Sequence, residues 1–212
     1  MDVFETIEDF VRAIAIVLGA IVIVLPVLGV LRVSARPGGR NLGYTAHIRR
    51  RSFTAILLIL FVSAGVLLWK PIPLELSDTV RVILLVVGTF LYLLGIGLYL
   101  WGYRTLGNMF GISSGFGVVL SEDHRLIQEG PYRIVRHPMY LGLILAGVGA
   151  LMIFRAWAVV MYTLILFGVA FRAYREEQLL SEVYGDEWED YKRRVPGWFP
   201  RFRRRVNGRD HV

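Results

Sequence analysis

Two polar, charged segments flank an apolar helical hairpin in the second half of the chain. Residues 130–140 read GPYRIVRHPMY and lead directly into the first apolar run, and residues 172–177 read RAYREE and follow the second. Ionisable groups beside lipid are costly to desolvate and are typical of functional sites. The two segments therefore predict a site that must hold both a cation and an anion.

Helix geometry gives some of these side chains specific roles. Arg172 and Glu176 are four residues apart and share one helical face. A surface ion pair of this kind contributes only about 0.3–0.5 kcal/mol, so stability alone is a weak reason for it. Pro138 fits a first helical turn, which puts His137 at or near the N-cap, and the N–H groups there can hold a carboxylate. The alternative is that Arg136 and His137 only reach lipid headgroups.

The composition indicates an integral membrane protein, because 55% of the 212 residues are hydrophobic and only 19% are charged. Three apolar segments are long enough to cross about 30 Å of hydrocarbon, and two shorter ones predict a tight hairpin around Arg155. We therefore predict an all-α membrane fold of about five transmembrane helices, the last two forming this hairpin. The segments are Phe10 to Leu31, Phe53 to Trp69, Val80 to Trp101, Met139 to Phe154 and Ala156 to Phe171.

Basic residues predict the orientation of these segments. The loop 32–52 carries six arginines and no acid, and ten basic residues follow Phe171. By the positive-inside rule both regions are cytoplasmic, and five crossings then put the N-terminus outside. We expect residues 1–102 to form three spans, and residues 103–212 to form a catalytic region with a cofactor pocket facing the cytoplasm, at the inner membrane if the cell is bacterial.

Several classes of site are disfavoured. The chain has no cysteine, which excludes disulfides, thiolate nucleophiles and Cys-ligated metals, and its four histidines lack metal-ligand spacing, so we predict no metal site. The chain has a net charge of +7, and its basic residues lie beside the apolar spans. This position predicts contact with membrane lipids rather than with nucleic acid. Gly115 and Gly117 lack the third glycine of a dinucleotide fingerprint. The oligomeric state stays open.

Two further patterns concern packing. Gly88, Gly95 and Gly102 recur at an interval of seven, which predicts close approach of another helix, with a lipid-chain groove as the alternative. Tyr184, Trp188 and Tyr191 share one face of a predicted short helix. We expect that face to dock at the membrane interface as a packing surface, with direct ligand contact as the alternative.

The carboxyl-terminal ninety or so residues resemble the isoprenylcysteine carboxyl methyltransferase family and its relatives among the phospholipid N-methyltransferases. The first hundred residues resemble it only as hydrophobic spans. The matching residues are His124, Leu126, Ile127, Gly130, Tyr132, Arg136, His137, Pro138, Tyr140, Gly142, Arg172, Glu176, Glu177, Tyr184, Gly185, Tyr191, Val195 and Pro196.

This resemblance implies a membrane methyltransferase that uses S-adenosyl-L-methionine, with Arg172 and Glu176 as catalytic residues. It places Arg172 on the substrate side, and we add Arg136 there. The implied cofactor-binding residues are His124, Arg125, Leu126, Ile127, Tyr132, His137, Pro138, Met139, Tyr140, Glu176 and Glu177.

Four functions were weighed against these patterns. The first is O-methylation of the carboxylate of an isoprenylcysteine-like or other lipidic acceptor, and the second is N-methylation of a phospholipid such as phosphatidylethanolamine. A sterol-reductase-like enzyme would share the motif from Arg136 to Tyr140 but would use NADPH. A non-enzymatic membrane scaffold would have no use for the polar cluster. Binding of S-adenosylhomocysteine or of NADPH separates these classes.

Overall fold

The computed structural model describes residues 3–34, 40–42, 51–107, 118–120 and 125–200. Within these ranges the chain is mainly helical, with one 3-10 helix at Gly130–Arg133 and two three-residue strands. The strands are β1 (Arg40–Leu42) and β2 (Val118–Leu120). The α-helices are α1 (Val3–Ser34), α2 (Arg51–Leu67), α3 (Asp78–Leu106), α4 (Pro138–Phe154), α5 (Trp157–Ala170), α6 (Arg172–Tyr184) and α7 (Asp186–Arg194).

Each of the five apolar segments predicted from the sequence forms a helix, α1 to α5. Two stretches are long and apolar enough to cross a membrane by length and composition, Asp78–Leu106 and the combined α5 and α6, Trp157–Tyr184. On α3, large apolar side chains such as Val86 and Phe90 remain exposed, which a core helix of a soluble protein would not show. These features indicate a membrane protein.

The expectation of an entirely α-helical chain needs one amendment. The strands β1 and β2 pair in antiparallel fashion, with Arg40 opposite Leu120 and Leu42 opposite Val118. Both lie in regions that the sequence pattern assigned to loops. Their backbone hydrogen bonds connect the segment after α1 to the segment after α3.

Contact between α3 and α4 forms the centre of the fold. A Cβ added at Gly95 would collide with the backbone amide of Ala146, and one added at Gly142 would lie 2.7 Å from the carbonyl oxygen of Gly95. Gly149 is equally close to the backbone of Gly88, at 2.6 Å from its carbonyl oxygen. The predicted close approach of another helix to this glycine stripe is therefore confirmed.

The turn between α4 and α5 is as tight as the sequence predicted. Arg155 adopts the left-handed conformation, with φ of 48° and ψ of 45°, and ends α4. A non-glycine residue is disfavoured there by roughly 1–2 kcal/mol. Backbone hydrogen bonds from Ile72 to the Arg155 carbonyl (2.7 Å) and from Trp157 to the Lys70 carbonyl (3.0 Å) hold the turn against the segment that precedes α3.

A buried carboxylate joins three helices at this same end of the bundle. Glu8, only 2% exposed, precedes the apolar part of α1 and accepts hydrogen bonds from Arg12 (2.7 Å), Arg81 (3.0 Å) and Arg155. Burial by itself raises the pKa of Glu8, but the three guanidinium groups outweigh it and hold this pKa below its usual value. The starts of α1 and α3 and the turn after α4 therefore lie together.

We expect Gly95→Ala to destabilise the protein, since its new methyl group meets backbone atoms that cannot rotate away. Overpacking of this kind typically costs about 1–3 kcal/mol. Gly97→Ala is the matched control, because a Cβ at that position of α3 meets nothing within 4 Å. Thermal unfolding in detergent would show a lower midpoint for Gly95→Ala alone. Equal midpoints for the two variants would contradict the assigned helix contact.

Candidate functional site

A cavity of about 70 Å³ opens at the end of α3 remote from Glu8. Its walls come from the last turn of α3, the segment from 125 to the 3-10 helix, the start of α4, and helices α6 and α7. Seven of the residues predicted to bind ligands line it: Arg125, Leu126, Ile127, Tyr132, Arg136, His137 and Glu176. The fold thus brings together residues that lie up to 51 positions apart in the sequence.

Local geometry explains how the chain enters α4. Gly130 has φ of +57°, and a Cβ there would lie 2.7 Å from the hydroxyl oxygen of Thr105 on α3. Glycine therefore lets the 3-10 helix pack against the end of α3. Pro138 occupies the first turn of α4, with His137 as the N-cap residue, as the sequence predicted. This arrangement directs the start of α4 toward the cavity.

One carboxylate oxygen connects the start of α4 to α6. Oε1 of Glu177 accepts hydrogen bonds from Nε (3.0 Å) and Nη2 (2.8 Å) of Arg136 and lies 2.7 Å from Nε2 of His137. The side chains are 16% exposed for Glu177, 12% for Arg136 and 5% for His137. Such a shielded, multiply bonded pair fixes the register of the two helices more than it adds stability.

The segment after α7 is attached to the same group of residues. Nη1 of Arg136 donates to the carbonyl oxygens of Lys192 (3.1 Å) and Val195 (2.9 Å). The backbone amides of Arg136 and His137 donate to the carbonyls of Pro196 (2.9 Å) and Gly197 (3.1 Å). Arg136 therefore joins α4, α6 and the segment after α7.

Trp198 continues this attachment. Its ring lies 5.4 Å from the ring of His137 and 6.4 Å from that of Tyr140, measured between centroids. Sequence analysis did not predict that this tryptophan would pack at the start of α4. The adjacent Pro196 and Gly197 indicate a change of chain direction, but nothing in their spacing identifies the surface that Trp198 meets.

Glu176 has a different environment from its neighbour. Successive helical residues point about 100° apart, so Glu176 lines the cavity whereas Glu177 does not. Oε2 of Glu176 accepts a hydrogen bond of 3.1 Å from the hydroxyl of Tyr140. Arg172 precedes Glu176 by one turn of α6 and does not line the cavity. An anion and a phenol therefore meet at the junction of α4 and α6, one helical turn from a cation.

Two tyrosines form part of the cavity wall. The hydroxyl of Tyr191 donates to the carbonyl oxygen of Tyr132 over 2.8 Å. Burial raises the pKa of both phenols, and the charge of Glu176 raises that of Tyr132 further. Both side chains are therefore neutral hydroxyl groups near pH 7, suited to hydrogen bonding rather than to proton abstraction.

Several predicted site residues do not line the cavity. Pro138 is buried within the first turn of α4, and Met139 packs against α3 at Gly102. Tyr140 donates a hydrogen bond to Glu176 but does not itself line the cavity. The carboxylate of Glu177 is bonded to Arg136 and lies against His137. His124 lies outside the described residues. Ligand-binding roles for these residues stay predictions.

The aromatic side of the cavity was only partly foreseen. The predicted shared face of Tyr184, Trp188 and Tyr191 exists, but it turns inward to line the cavity together with Leu106 and Leu180. Trp188 is 1% exposed and Tyr191 2%. The spacing of these aromatic residues identifies one helical face without showing which partner it covers, so packing was favoured over the ligand contact that a cavity position allows.

The described structure defines a helical membrane protein with a charged, aromatic-walled cavity at one end. Residues 83–187, from α3 into α7, match the family Phospholipid methyltransferase. This match covers 105 of the 212 residues, just under half of the chain, and the resemblance seen in its motifs is confirmed.

Named relatives match a similar part of the chain. It is 32% identical over 82 residues to the protein-S-isoprenylcysteine O-methyltransferase of Schizosaccharomyces pombe, covering 38% of this chain and 35% of that protein. It is 35% identical over 81 residues to a probable enzyme of the same name from Oryza sativa subsp. indica, covering 37% and 42%. The mouse protein of that name is 34% identical over 99 residues, covering 43% and 35%. The chain thus spans well under half the length of these relatives.

Proposed function

We propose that this protein is an S-adenosylmethionine-dependent membrane methyltransferase that O-methylates the carboxylate of an isoprenylcysteine-like or other lipidic acceptor. The observation that carries the proposal is the carboxylate of Glu176, which lines the cavity, accepts a hydrogen bond from Tyr140 and follows Arg172 by one turn of α6. The family match of residues 83–187 and the names of the relatives support it.

The residues of the cavity match the chemical parts of S-adenosylmethionine. Glu176 offers an anion for its ammonium group, the positive dipole end of α4 beside Arg136 and His137 favours its carboxylate, and Tyr132 adds a neutral hydroxyl. A cavity of about 70 Å³ is smaller than the roughly 300–1,000 Å³ of ligand pockets. Binding of the whole cofactor therefore requires a wider cavity than the one this structure shows.

The bound cofactor would supply a methyl group on a sulfonium, ready for in-line displacement. Such a reaction needs alignment of the acceptor and exclusion of water more than a covalent protein intermediate. The buried aromatic wall can exclude water, and Glu176 can orient the donor. In this mechanism the chain contributes geometry and charge, and no serine or cysteine nucleophile is required.

Acceptor chemistry favours a carboxylate. A carboxylate is ionised near neutral pH and needs no base, whereas a lipid ammonium must first lose a proton. The planar guanidinium of Arg172 can hold a carboxylate through two parallel hydrogen bonds. N-methylation of a phospholipid is the second candidate, favoured by the name of the matching family and by the equal suitability of Arg172 for a phosphate.

We also propose a membrane arrangement of five crossings, with three spans in residues 1–102, a catalytic region in 103–212, the N-terminus outside and the cavity facing the cytoplasm. In support, Glu8, the segment before α3 and the turn at Arg155 share one end of the helix bundle. The cavity lies at the other end, beside the basic residues that follow α5. The positive-inside rule assigns that end to the cytoplasm.

Reporter fusions at the two ends of the chain test this arrangement. We expect a reporter joined at residue 1 to be active outside the cytoplasm and one joined at residue 212 to be active inside, because the basic loops resist translocation. A cytoplasmic signal at residue 1, or an external one at residue 212, would refute it. A fusion after Lys70 is an internal control and should report the same side as residue 1.

Glu176→Gln tests the cofactor site. Removing one partner of a buried charge pair costs about 3–5 kcal/mol, so we expect the affinity for S-adenosylhomocysteine in calorimetry to fall at least a hundredfold, with the unfolding temperature nearly unchanged. Glu177→Gln is the matched neighbour and should instead lower the unfolding temperature, because Arg136 loses its counter-charge. Near-normal affinity in well-folded Glu176→Gln would remove this residue from the site.

Arg172→Ala tests the acceptor. We expect it to raise KM or abolish methyl transfer to a small prenylated thioether acid while S-adenosylhomocysteine still binds. Arg175→Ala, an exposed arginine on the same helix, is the control and should retain activity. We also expect phosphatidylethanolamine to be a poorer acceptor for the unmodified protein. Transfer to purified lipid amine, with none to any lipidated carboxylate, would move the assignment to phospholipid N-methylation.

A further inference from the structure

Trp188 on α7 has a buried hydrogen-bond donor that the rest of the site does not use. Its side chain lines the cavity and is 1% exposed. Its indole Nε1 has no hydrogen-bond partner in the part of the chain that the structure describes. An indole nitrogen can only donate, and buried donors in folded proteins are nearly always paired. An unpaired donor beside a cavity therefore suggests an acceptor on a ligand.

The surroundings of Trp188 restrict what that ligand group can be. Trp188 packs in one cluster with Tyr191 and Val195, with Leu126, Leu180 and Tyr184 against them. The Arg136 guanidinium lies 5.9 Å from the centroid of the indole ring, but it is already paired with Glu177, and the other neighbours are apolar or aromatic. A neutral ligand group is therefore better accommodated there than a further charge. A flat heterocycle with a lone pair in its plane suits both the apolar faces and the N–H group.

We propose that the indole N–H of Trp188 donates a hydrogen bond to a ring nitrogen of the adenine of the cofactor, making the α7 wall the purine subsite. This inference rests on the proposed function and adds to it the placement of the cofactor's two ends. Glu176 receives the charged amino-acid end, and Trp188 receives the base.

Calorimetry with the full-length chain in detergent provides the test. The probes are S-adenosylhomocysteine and its 1-deaza, 3-deaza and 7-deaza analogues, in each of which one ring nitrogen is replaced by carbon. We expect one analogue to bind the unmodified protein about 2- to 13-fold more weakly, the range for a single neutral hydrogen bond. Trp188→Phe should bind S-adenosylhomocysteine more weakly by a similar factor.

The combination of protein and ligand changes isolates the bond. In Trp188→Phe, the analogue that was weakened should bind as well as S-adenosylhomocysteine does, because the donor is already gone. Trp198→Phe is the matched control, since Trp198 packs on His137 and Tyr140 without lining the cavity. That variant should retain the full discrimination among the analogues.

Three results would overturn the inference. They are unchanged affinity in Trp188→Phe, equal affinity of the unmodified protein for all four probes, and discrimination that persists in Trp188→Phe. The second comparison needs no variant, so it holds even if Trp188→Phe fails to fold. Failure of the unmodified protein to bind S-adenosylhomocysteine at all would instead refute the proposed function, and the purine subsite with it.

Discussion

Backbone contact between α3 and α4 determines where the rest of the site can lie. At Gly95 and Gly142 the two helices leave no room for a methyl group, so their relative position is fixed by main-chain atoms rather than by adjustable side chains. In a lipid environment, where apolar side chains gain little by leaving the solvent, such close packing is a principal source of helix association. The start of α4 is thereby held beside the end of α3.

The second constraint is the carboxylate of Glu177. Its bonds hold α6 and the segment after α7 in place relative to the start of α4. Through Arg136 and His137 it fixes α6, and through the further hydrogen bonds of Arg136 it fixes the segment at Val195. α7 lies between these two attachments, and its residues Trp188 and Tyr191 line the cavity. Loss of this carboxylate would therefore act on the shape of the site even though Glu177 does not line it.

Sequence patterns predicted where the helices lie along the chain better than which face of each helix points into the protein. The apolar segments, the start of α4 at Pro138 and the glycine stripe follow from composition and spacing, which depend on local physics. The inward direction of Trp188 depends on which surface covers α7, and no periodicity encodes that choice. The strands β1 and β2 are three residues each, too short for an alternating pattern, and their pairing joins segments distant in sequence.

Glu176 and Glu177 show why the direction in which a side chain points around a helix matters for function. Glu176 and Glu177 have the same chemistry, and a motif that contains both gives no reason to separate their tasks. In the structure Glu177 is paired with Arg136 and does not line the cavity, whereas Glu176 borders the cavity directly. A step of about 100° along α6 thus separates a carboxylate that positions helices from one that can meet a cationic ligand. The same step explains why the pair occurs as consecutive residues: one helix, held in register by the second carboxylate, presents the first.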